Sequence, residues 1–435
     1  MIETSLALFA SERFADHVTP PGHPERVGRA EVMQNVAESF VQDGGTVIEP
    51  RPVTDAELVA VHTTTYIKSI AATSGRAVNL DPDTYASPRS YEVARLAAGA
   101  IVEAAAHAMA GGGYALALVR PPGHHAEADR AMGFCLFNSV AVAAAHALKT
   151  GASKVAIVDY DVHHGNGTQW MFYDDPRILY VSTHQYPFYP GTGATADIGR
   201  DAGEGRTLNV PLAAGATDAD YELVFTRLIL PALRAFSPDL LLISAGYDAH
   251  ERDPLAGMQV TTEGYRAMTR HLRVIADEVC GGRLAFVTEG GYDLQAFDEC
   301  LDSTIAVLRD APIGDAPSFK GSTDRAEAVM EDIISLHRAH WPTGVWGHRV
   351  QGWISVHPVR RCVTRGLRYN GGVAVVGRLR HLLIVATTFT YSAFHRSDQH
   401  PLIACAVRPS RYRRRRSSLV HAYGLSRVRV FPADN

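Results

Sequence analysis

Short apolar runs alternate with longer amphipathic stretches along most of the chain, from residue 1 to about residue 342. Five runs are rich in β-branched or other apolar residues and end in glycine or polar clusters, which predicts buried strands at residues 114–119, 155–158, 178–182, 240–244 and 284–288. Amphipathic spacing predicts helices at residues 91–110, 139–148, 218–235 and 263–280, and Pro231 should kink the third of these or begin a new segment. Strands that alternate with helices are typical of a parallel sheet in an α/β fold.

The composition agrees with a folded globular protein. The 435 residues are 46% hydrophobic and 20% charged, which excludes a wholly disordered, collagen-like or coiled-coil chain. No apolar run approaches the roughly 18 residues that cross a bilayer, and the first segment lacks the basic region and apolar core of a secretion signal, so we expect neither a membrane anchor nor export. Five widely spaced cysteines fit neither a disulfide framework nor a cysteine-based zinc site, which predicts a cytoplasmic location.

Charge divides the chain into two regions, residues 1–342 and 343–435. The first holds 26 basic and 44 acidic residues, and the second holds sixteen arginines, no lysine and two acidic residues. The tail includes Arg411-Tyr-Arg-Arg-Arg-Arg416, which favours binding to nucleic acid or another anionic surface. The whole chain has 38 arginines and four lysines, as GC-rich coding DNA produces, so the alternative is a tail translated in a shifted reading frame. We expect a chain that ends at Pro342 to fold and to keep its activity.

Polar residues follow four of the predicted strands directly. In an open parallel sheet the ligand binds beyond the carboxyl ends of the strands, so chemistry is expected in these segments. They are Arg120-Pro-Pro-Gly-His-His125, Asp159-Tyr-Asp-Val-His-His-Gly-Asn-Gly167, Ala245-Gly-Tyr-Asp248 and Glu289-Gly-Gly-Tyr292.

Asp159, Asp161 and His163 occupy alternate positions of an extended segment, so their side chains share one face. With Asp248 from another strand end, Asp161 and His163 offer one nitrogen and two oxygen ligands, which is the ligand number of a catalytic zinc site. Ferrous iron accepts the same ligands. An isolated Asp-x-His tripeptide is usually a helix cap or a surface pair, and the coincidence with the other strand ends is what favours a metal site.

His124 and His125 follow a tight proline and glycine turn that core histidines do not need. A neutral imidazole becomes a base when a carboxylate or amide orients its second nitrogen, and Asp159 and Asn166 are the available orienting groups. A carboxylate adds charge and an amide does not, so the two histidines should differ in pKa. Tyr292, after a flexible glycine pair, could donate a hydrogen bond to a developing oxyanion. Together these groups predict metal-assisted amide hydrolysis without a serine or cysteine nucleophile.

The motifs, taken in order, resemble those of the zinc-dependent histone deacetylase superfamily, which includes bacterial histone deacetylase-like amidohydrolases and acetylpolyamine amidohydrolases. Besides the four segments above, the matching motifs are Gly133-Phe-Cys-Leu-Phe-Asn138, Pro190-Gly-Thr-Gly193 and the extension to Ala245-Gly-Tyr-Asp-Ala-His250. The resemblance extends from about Ala7 to about Trp341, and the asparagine at position 166 is similar to the class II branch. It implies an arginase-like, three-layer α/β fold whose central sheet has eight mainly parallel strands.

The resemblance also implies a role for each matched residue. The zinc ligands match Asp161, His163 and Asp248. The tandem histidines match a general base at His125, with Asn166 nearby, and an electrostatic partner at His124, which pairs with Asp159; the tyrosine that polarises the substrate carbonyl matches Tyr292. In the family's substrate tunnel, Phe134 and Tyr189 match the aromatic walls, and the carbonyl of Gly133 matches the one near the substrate amide. Arg29 matches an arginine at the foot of the tunnel, where acetate collects. A structural potassium site is implied at Asp159, Asp161, His163, Ser182 and Thr183, mostly through backbone carbonyls, and a second one near Phe172, Asp175 and Ile178.

The implied substrate is an N-acylated primary amine, such as acetyl-lysine or an acetylpolyamine, and the acidic first region would attract either long cationic chain. One alternative is a catalytically silent acyl-lysine binding protein whose tail binds nucleic acid. Another is a binuclear manganese hydrolase of the arginase type, but that chemistry requires more bridging carboxylates than the sequence offers around Asp248. Tyr292 and the complete ligand set favour an active enzyme with one metal ion. The oligomeric state is left open.

Overall fold

The computed structural model describes residues 5–309 and 318–346, together with the backbone of residues 375–379 and 382–386. The chain divides into two compact units, Met1–Arg349 and Val350–Asn435. The predicted active-site segments all belong to the first unit.

An eight-stranded sheet forms the centre of the first unit. Its strands, with those of a small separate sheet, are β1 (Leu6–Phe9), β2 (Thr46–Ile48), β3 (Val78–Asn79), β4 (Tyr85–Ala86), β5 (Tyr114–Ala117), β6 (Val155–Asp159), β7 (Ile178–Gln185), β8 (Thr207–Leu212), β9 (Leu240–Ala245) and β10 (Leu284–Thr288). The order across the sheet is β2-β1-β5-β10-β9-β6-β7-β8, and every neighbouring pair is parallel. Strands β3 and β4 form the small antiparallel sheet. The prediction of an eight-stranded parallel sheet is confirmed.

Helices cover both faces of the central sheet. They are α1 (Gly28–Gln42), α2 (Asp55–Leu58), α3 (Thr64–Ala71), α4 (Ser90–Met109), α5 (Ser139–Lys149), α6 (Asn166–Met171), α7 (Asp218–Val224), α8 (Leu230–Phe236), α9 (Thr262–Cys280), α10 (Leu294–Arg309) and α11 (Asp324–His337). Successive strand residues point to opposite faces, so Leu8 packs in a cluster with α1, α9 and α10, whereas Phe9 packs in a cluster with α3, α4 and α5. Apart from the edge strand β2, the strands of the central sheet are buried along their whole length, which explains why most of them appear in the sequence as apolar runs.

Most ends of the predicted elements agree with the observed ones within one residue, and three elements differ by more. Strand β7 extends to Gln185 rather than ending at residue 182. Strand β5 ends at Ala117 rather than at residue 119. The helix predicted at residues 218–235 is divided into α7 and α8 by a π-helical turn, Phe225–Ile229. Pro231 lies in the first turn of α8, as expected for a new segment, because proline has no amide hydrogen to donate to the preceding turn.

Residues 318–346 complete the first unit, and α11 packs against β8 and α7. The indole nitrogen of Trp341 donates a hydrogen bond to the carbonyl of Gly205, and that of Trp346 donates to the carbonyl of Leu228. The boundary predicted at residue 342 thus falls between two tryptophans that both contact the first unit. That boundary stays a prediction.

In the second unit, β11 (Val375–Leu379) and β12 (Leu382–Ala386) pair in antiparallel orientation. The arginine cluster that we expected to bind nucleic acid lies outside the described residues. Within the part of the chain that the structure describes, no helix combines the length and apolarity needed to cross a membrane. The three cysteines in that part, Cys135, Cys280 and Cys300, are free and buried.

Candidate active site

The four predicted strand ends meet at the carboxyl edge of the central sheet, because β5, β10, β9 and β6 are consecutive neighbours in it. Three buried side chains there bring ligand-type atoms within 4.8 Å of one another: Asp161, His163 and Asp248. Nδ1 of His163 lies 3.1 Å from Oδ1 of Asp161 and 3.0 Å from Oδ2 of Asp248. The structure thus brings together the three predicted metal ligands, which we call the ligand cluster.

The ligand cluster fits a divalent cation in chemistry and spacing. Ligand atoms at about 2.0–2.1 Å from a tetrahedral zinc ion lie roughly 3.3 Å apart. Each carboxylate turns its other oxygen to a backbone amide, since Gly290 donates to Oδ2 of Asp161 and Val162 donates to Oδ1 of Asp248. Burial alone would lower the pKa of His163, but hydrogen bonds to the two carboxylates raise it to about 10. The buried carboxylates therefore require a cation beside them, either a proton or a metal ion.

Two glycines let side chains of the site approach the backbone. A Cβ atom at Gly290 would lie 2.1 Å from Oδ2 of Asp248. A Cβ atom at Gly133, whose φ is +55°, would lie 2.3 Å from Cδ2 of His125. Gly133, which we expected to present its carbonyl to the substrate amide, thus lies directly against a predicted catalytic imidazole.

His124 and His125 differ in their partners and in their charge. Nδ1 of His124 lies 3.0 Å from Oδ2 of Asp159, and Nδ1 of His125 lies 2.8 Å from Oδ1 of Asn166. Burial opposes protonation of His124, but nearby carboxylates, Asp159 first, raise its pKa well above the usual value. Burial and then the charge of His124 lower the pKa of His125 well below the usual value. The opposite shifts agree with the difference in pKa expected from the sequence.

Tyr292 lies beside these groups and is 7% exposed. Burial raises its pKa well above the usual value, so the phenol keeps its proton and can donate it in a hydrogen bond. The guanidinium of Arg29 lies 5.3 Å from the centre of the Tyr292 ring and donates to the carbonyls of the three residues before it. Arg29 is fully buried, and its hydrogen bonds fix the backbone of residues 289–291, directly before Tyr292. The expected contact of Arg29 with acetate stays a prediction.

Aromatic rings surround the approach to the ligand cluster. Tyr189 meets His125 edge-on with ring centres 5.2 Å apart, and it is 37% exposed. Phe134 meets Tyr292 edge-on at 5.9 Å. Phe188, which the sequence analysis did not single out, stacks on His163 at 5.4 Å. The sequence indicates Phe188 only by its position next to Tyr189, between Pro187 and Pro190.

The residues of the first predicted potassium site lie at the end of β6, in the segment that follows it, and in the neighbouring part of β7, where Asp159 and Ser182 are register partners. Nε2 of His184 donates to the carbonyl of Gly193, so Nδ1 of the same ring accepts the hydroxyl proton of Ser182. The lone pairs of Ser182 then remain for a cation. Oγ1 of Thr183 is buried and has no hydrogen-bond partner in the described residues. The second predicted site comprises Phe172, Asp175 and Ile178, which form a tight turn. Both potassium sites stay predictions.

A buried charge network, which the sequence analysis missed, joins the tandem-histidine segment to the Tyr292 segment. Glu25 is fully buried and accepts two hydrogen bonds of 2.7 and 2.8 Å from Arg120 and one of 3.1 Å from Arg29. Arg120 begins the histidine segment, and Arg29 holds the Tyr292 segment. Glu289 adds a second link, because its carboxylate accepts from two backbone amides of the histidine segment at 2.6 and 3.1 Å. For Arg120 and Glu289, the signal in the sequence is that each follows an apolar run, because a charged residue is seldom buried without a partner; Glu25 carries no such signal.

Comparisons with known proteins agree with this fold and site. Residues 23–308 match the sequence model of the histone deacetylase domain. The chain is 40% identical over 360 residues to histone deacetylase 15 of Arabidopsis thaliana, which covers 78% of this chain but 63%, less than two thirds, of the plant protein. It is 38% identical over 288 residues to a probable deacetylase of Archaeoglobus fulgidus, across 65% of this chain and 80% of that relative. The crystal structure of the HDA15 HD domain matches with a TM-score of 0.72 and 38% identity, over 78% of this chain and 96% of that one. By sequence and by fold, the chain belongs to the histone deacetylase family.

Proposed function

We propose that the chain is a metal-dependent hydrolase that removes acetyl or other acyl groups from N-acylated primary amines. Family membership supports a deacetylase that acts on an acetylated substrate. The observation that carries the finer proposal is the convergence of Nδ1 of His163, Oδ1 of Asp161 and Oδ2 of Asp248 on one buried point, with the ring of His125 5.9 Å from that of His163.

Each residue of the site has a proposed task. The ligand cluster would hold one divalent ion, zinc or ferrous iron, which supplies Lewis-acid activation of water when it is bound. His125 accepts a proton through Nε2, because its Nδ1 faces Asn166. His124, paired with Asp159, supplies positive charge near the reacting carbonyl. Tyr292 donates a hydrogen bond to the carbonyl oxygen as negative charge develops there.

The proposed substrate is a long cationic chain whose terminal amine is acylated. Its apolar part would pass between Phe134 and Tyr189, whose rings flank the site, and its amide would donate to the carbonyl of Gly133. The excess of acidic residues in residues 1–342 would attract such a chain from solution. An acetyl-lysine side chain and an acetylpolyamine both satisfy this description.

The proposal extends to the surroundings of the site. We assign a structural potassium ion to the place where the end of β6 and the segment after it lie beside Ser182 and Thr183 of β7, with backbone carbonyls as most of its ligands. The free cysteines of the described residues support a reducing, cytoplasmic location. The arginine-rich tail is the only segment that we assign to nucleic-acid binding.

The proposed function is tested with the purified full chain, by elemental analysis and by turnover of an acetyl-lysine peptide, an acetylpolyamine and a longer acyl-lysine peptide. We expect one divalent ion per chain, loss of turnover on chelation, and recovery when zinc or ferrous iron is restored. Turnover that persists in the presence of chelator would overturn the metal mechanism. Two manganese ions per chain would instead support arginase-type chemistry, and binding of the peptide without turnover would support the silent acyl-lysine binding protein.

A further inference from the structure

Asp253 lies outside the ligand cluster, yet its carboxylate contacts the segment that carries Tyr292. Oδ2 of Asp253 accepts hydrogen bonds from the backbone amides of Tyr292 and Asp293 at 2.6 and 3.3 Å, and Oδ1 accepts from the amide of Leu255 at 3.0 Å. The aspartate is 7% exposed. Hydrogen bonds from backbone amides to a buried carboxylate are stronger than those to a neutral acceptor.

The backbone before Tyr292 needs such an anchor, because two glycines precede it and Gly291 has a φ of +119°. Without restraint, this segment would let the phenol of Tyr292 move relative to the ligand cluster. Arg29 holds the carbonyl oxygens of the segment. A guanidinium donates hydrogen bonds and cannot accept them, so the amide of Tyr292 requires a different partner, which is Asp253.

Asp253 is itself held in place. Its amide donates to the carbonyl of His250 at 2.9 Å, and a β-bridge between His250 and Val260 closes the base of its loop. The loop begins directly after the segment of Asp248. It therefore links a strand end that supplies a metal ligand to the strand end that supplies Tyr292.

An ionised carboxylate is energetically unfavourable at this buried position. Burial and then the charge of Asp248 raise the pKa of Asp253 to about 7. An asparagine would avoid this charge, but it has one acceptor oxygen, and its NH2 group would face a backbone N–H. The three amide donors therefore explain why a carboxylate is present.

We propose that Asp253 is a positioning residue that holds the backbone of Tyr292, and through it the phenol, where the substrate carbonyl is polarised. The inference rests on the proposed role of Tyr292 in hydrolysis. It predicts that Asp253 affects turnover through Tyr292 and not independently of it.

A double-mutant cycle tests this coupling. We expect Asp253→Asn to lower kcat about tenfold and to leave KM and metal content unchanged. A tenfold change corresponds to the loss of one hydrogen bond to a charged group. In the Tyr292→Phe background, where no phenol remains to be positioned, the same change should lower kcat by at most about twofold. Asp293→Asn is the matched control, because Asp293 accepts from the amide of Ala296 at the start of α10 and asparagine serves that role equally well.

Amide exchange gives a second readout that needs no turnover. In Asp253→Asn, deuterium should enter the amide of Tyr292 at least several-fold faster than in the parent chain, whereas Asp293→Asn should leave that rate unchanged. If the asparagine variant fails to fold, Asp253→Ser replaces it. The serine variant should also show a lower kcat and faster deuterium exchange at the amide of Tyr292. Equal losses of kcat in the two backgrounds, or unchanged exchange at Tyr292, would overturn the inference. A parent chain without chelator-sensitive turnover would overturn the proposed function instead, and the exchange measurement would still decide whether Asp253 anchors the segment.

Discussion

The side-chain oxygen of Asn166 lies 2.8 Å from Nδ1 of His125. The nitrogen of the same amide donates to Oε1 of Glu127 at 2.7 Å and to the backbone carbonyl of His125 at 3.4 Å, and a carbonyl oxygen can only accept, so the amide orientation is determined. Nδ1 of His125 therefore carries the proton, and Nε2 carries the lone pair. A neutral partner thus sets the tautomer of His125 without adding charge to the site.

Asn166→Asp should move the acidic limb of the kcat/KM profile to higher pH. The new carboxylate favours the imidazolium form of His125 and raises its pKa, so the proposed base stays protonated, and turnover is lost, up to a higher pH. Glu127→Gln is the control, because the glutamine oxygen can still accept from Asn166, and its limb should stay close to that of the parent. An unmoved limb in Asn166→Asp would show that His125 is not the base.

Tyr292→Phe should lower kcat about 100-fold to 1000-fold and leave KM nearly unchanged. In the proposed mechanism the phenol donates to the carbonyl oxygen as negative charge develops, so its contribution would be larger in the transition state than in the bound substrate. Steady-state kinetics on the preferred substrate, with metal content measured in parallel, check this expectation. A proportionate rise in KM with unchanged kcat would show that Tyr292 contributes to substrate binding alone.

The ligand cluster could be predicted from the sequence because it depends on local rules. Asp161 and His163 share a face by strand periodicity, and the carboxyl-edge rule for parallel sheets brings Asp248 to them. Asp253 and Phe188 could not be predicted in this way. The hydrogen bond from Tyr292 to Asp253 joins residues 39 positions apart, and no periodicity specifies which amide of one loop a carboxylate of another loop will reach. The same limit applies to Glu25, whose partners become visible only when three segments pack together.

Removal of the metal ion should lower the melting temperature of the chain. The proposed ion would bind the folded ligand cluster, where three ligand atoms are already assembled, and would hardly bind the unfolded chain, so its loss should shift the equilibrium toward unfolding. Asp248→Ala should bind little metal, and its melting temperature should not respond to chelator. Asp332→Ala, an exposed aspartate of α11, is the control and should keep both the metal and the response. Equal responses to chelator in all three proteins would argue against a metal site at this cluster.

Two truncations separate the catalytic unit from the tail. A chain that ends at Arg349, where the first compact unit ends, should match the full chain in turnover and metal content. A chain that ends at Pro342 should stay active but be less stable by about 1–2 kcal/mol, because it loses the half-buried Trp346, whose indole donates to the carbonyl of Leu228 and lies 5.6 Å from the ring of Trp341. Chemical denaturation and turnover at 25 °C measure the two properties separately.

If the chain that ends at Arg349 loses turnover while it keeps its metal, the arginine-rich tail takes part in the reaction. If it keeps turnover but loses an affinity for DNA that the full chain has, the tail binds nucleic acid, and if neither property changes, the shifted reading frame becomes the better explanation of the tail.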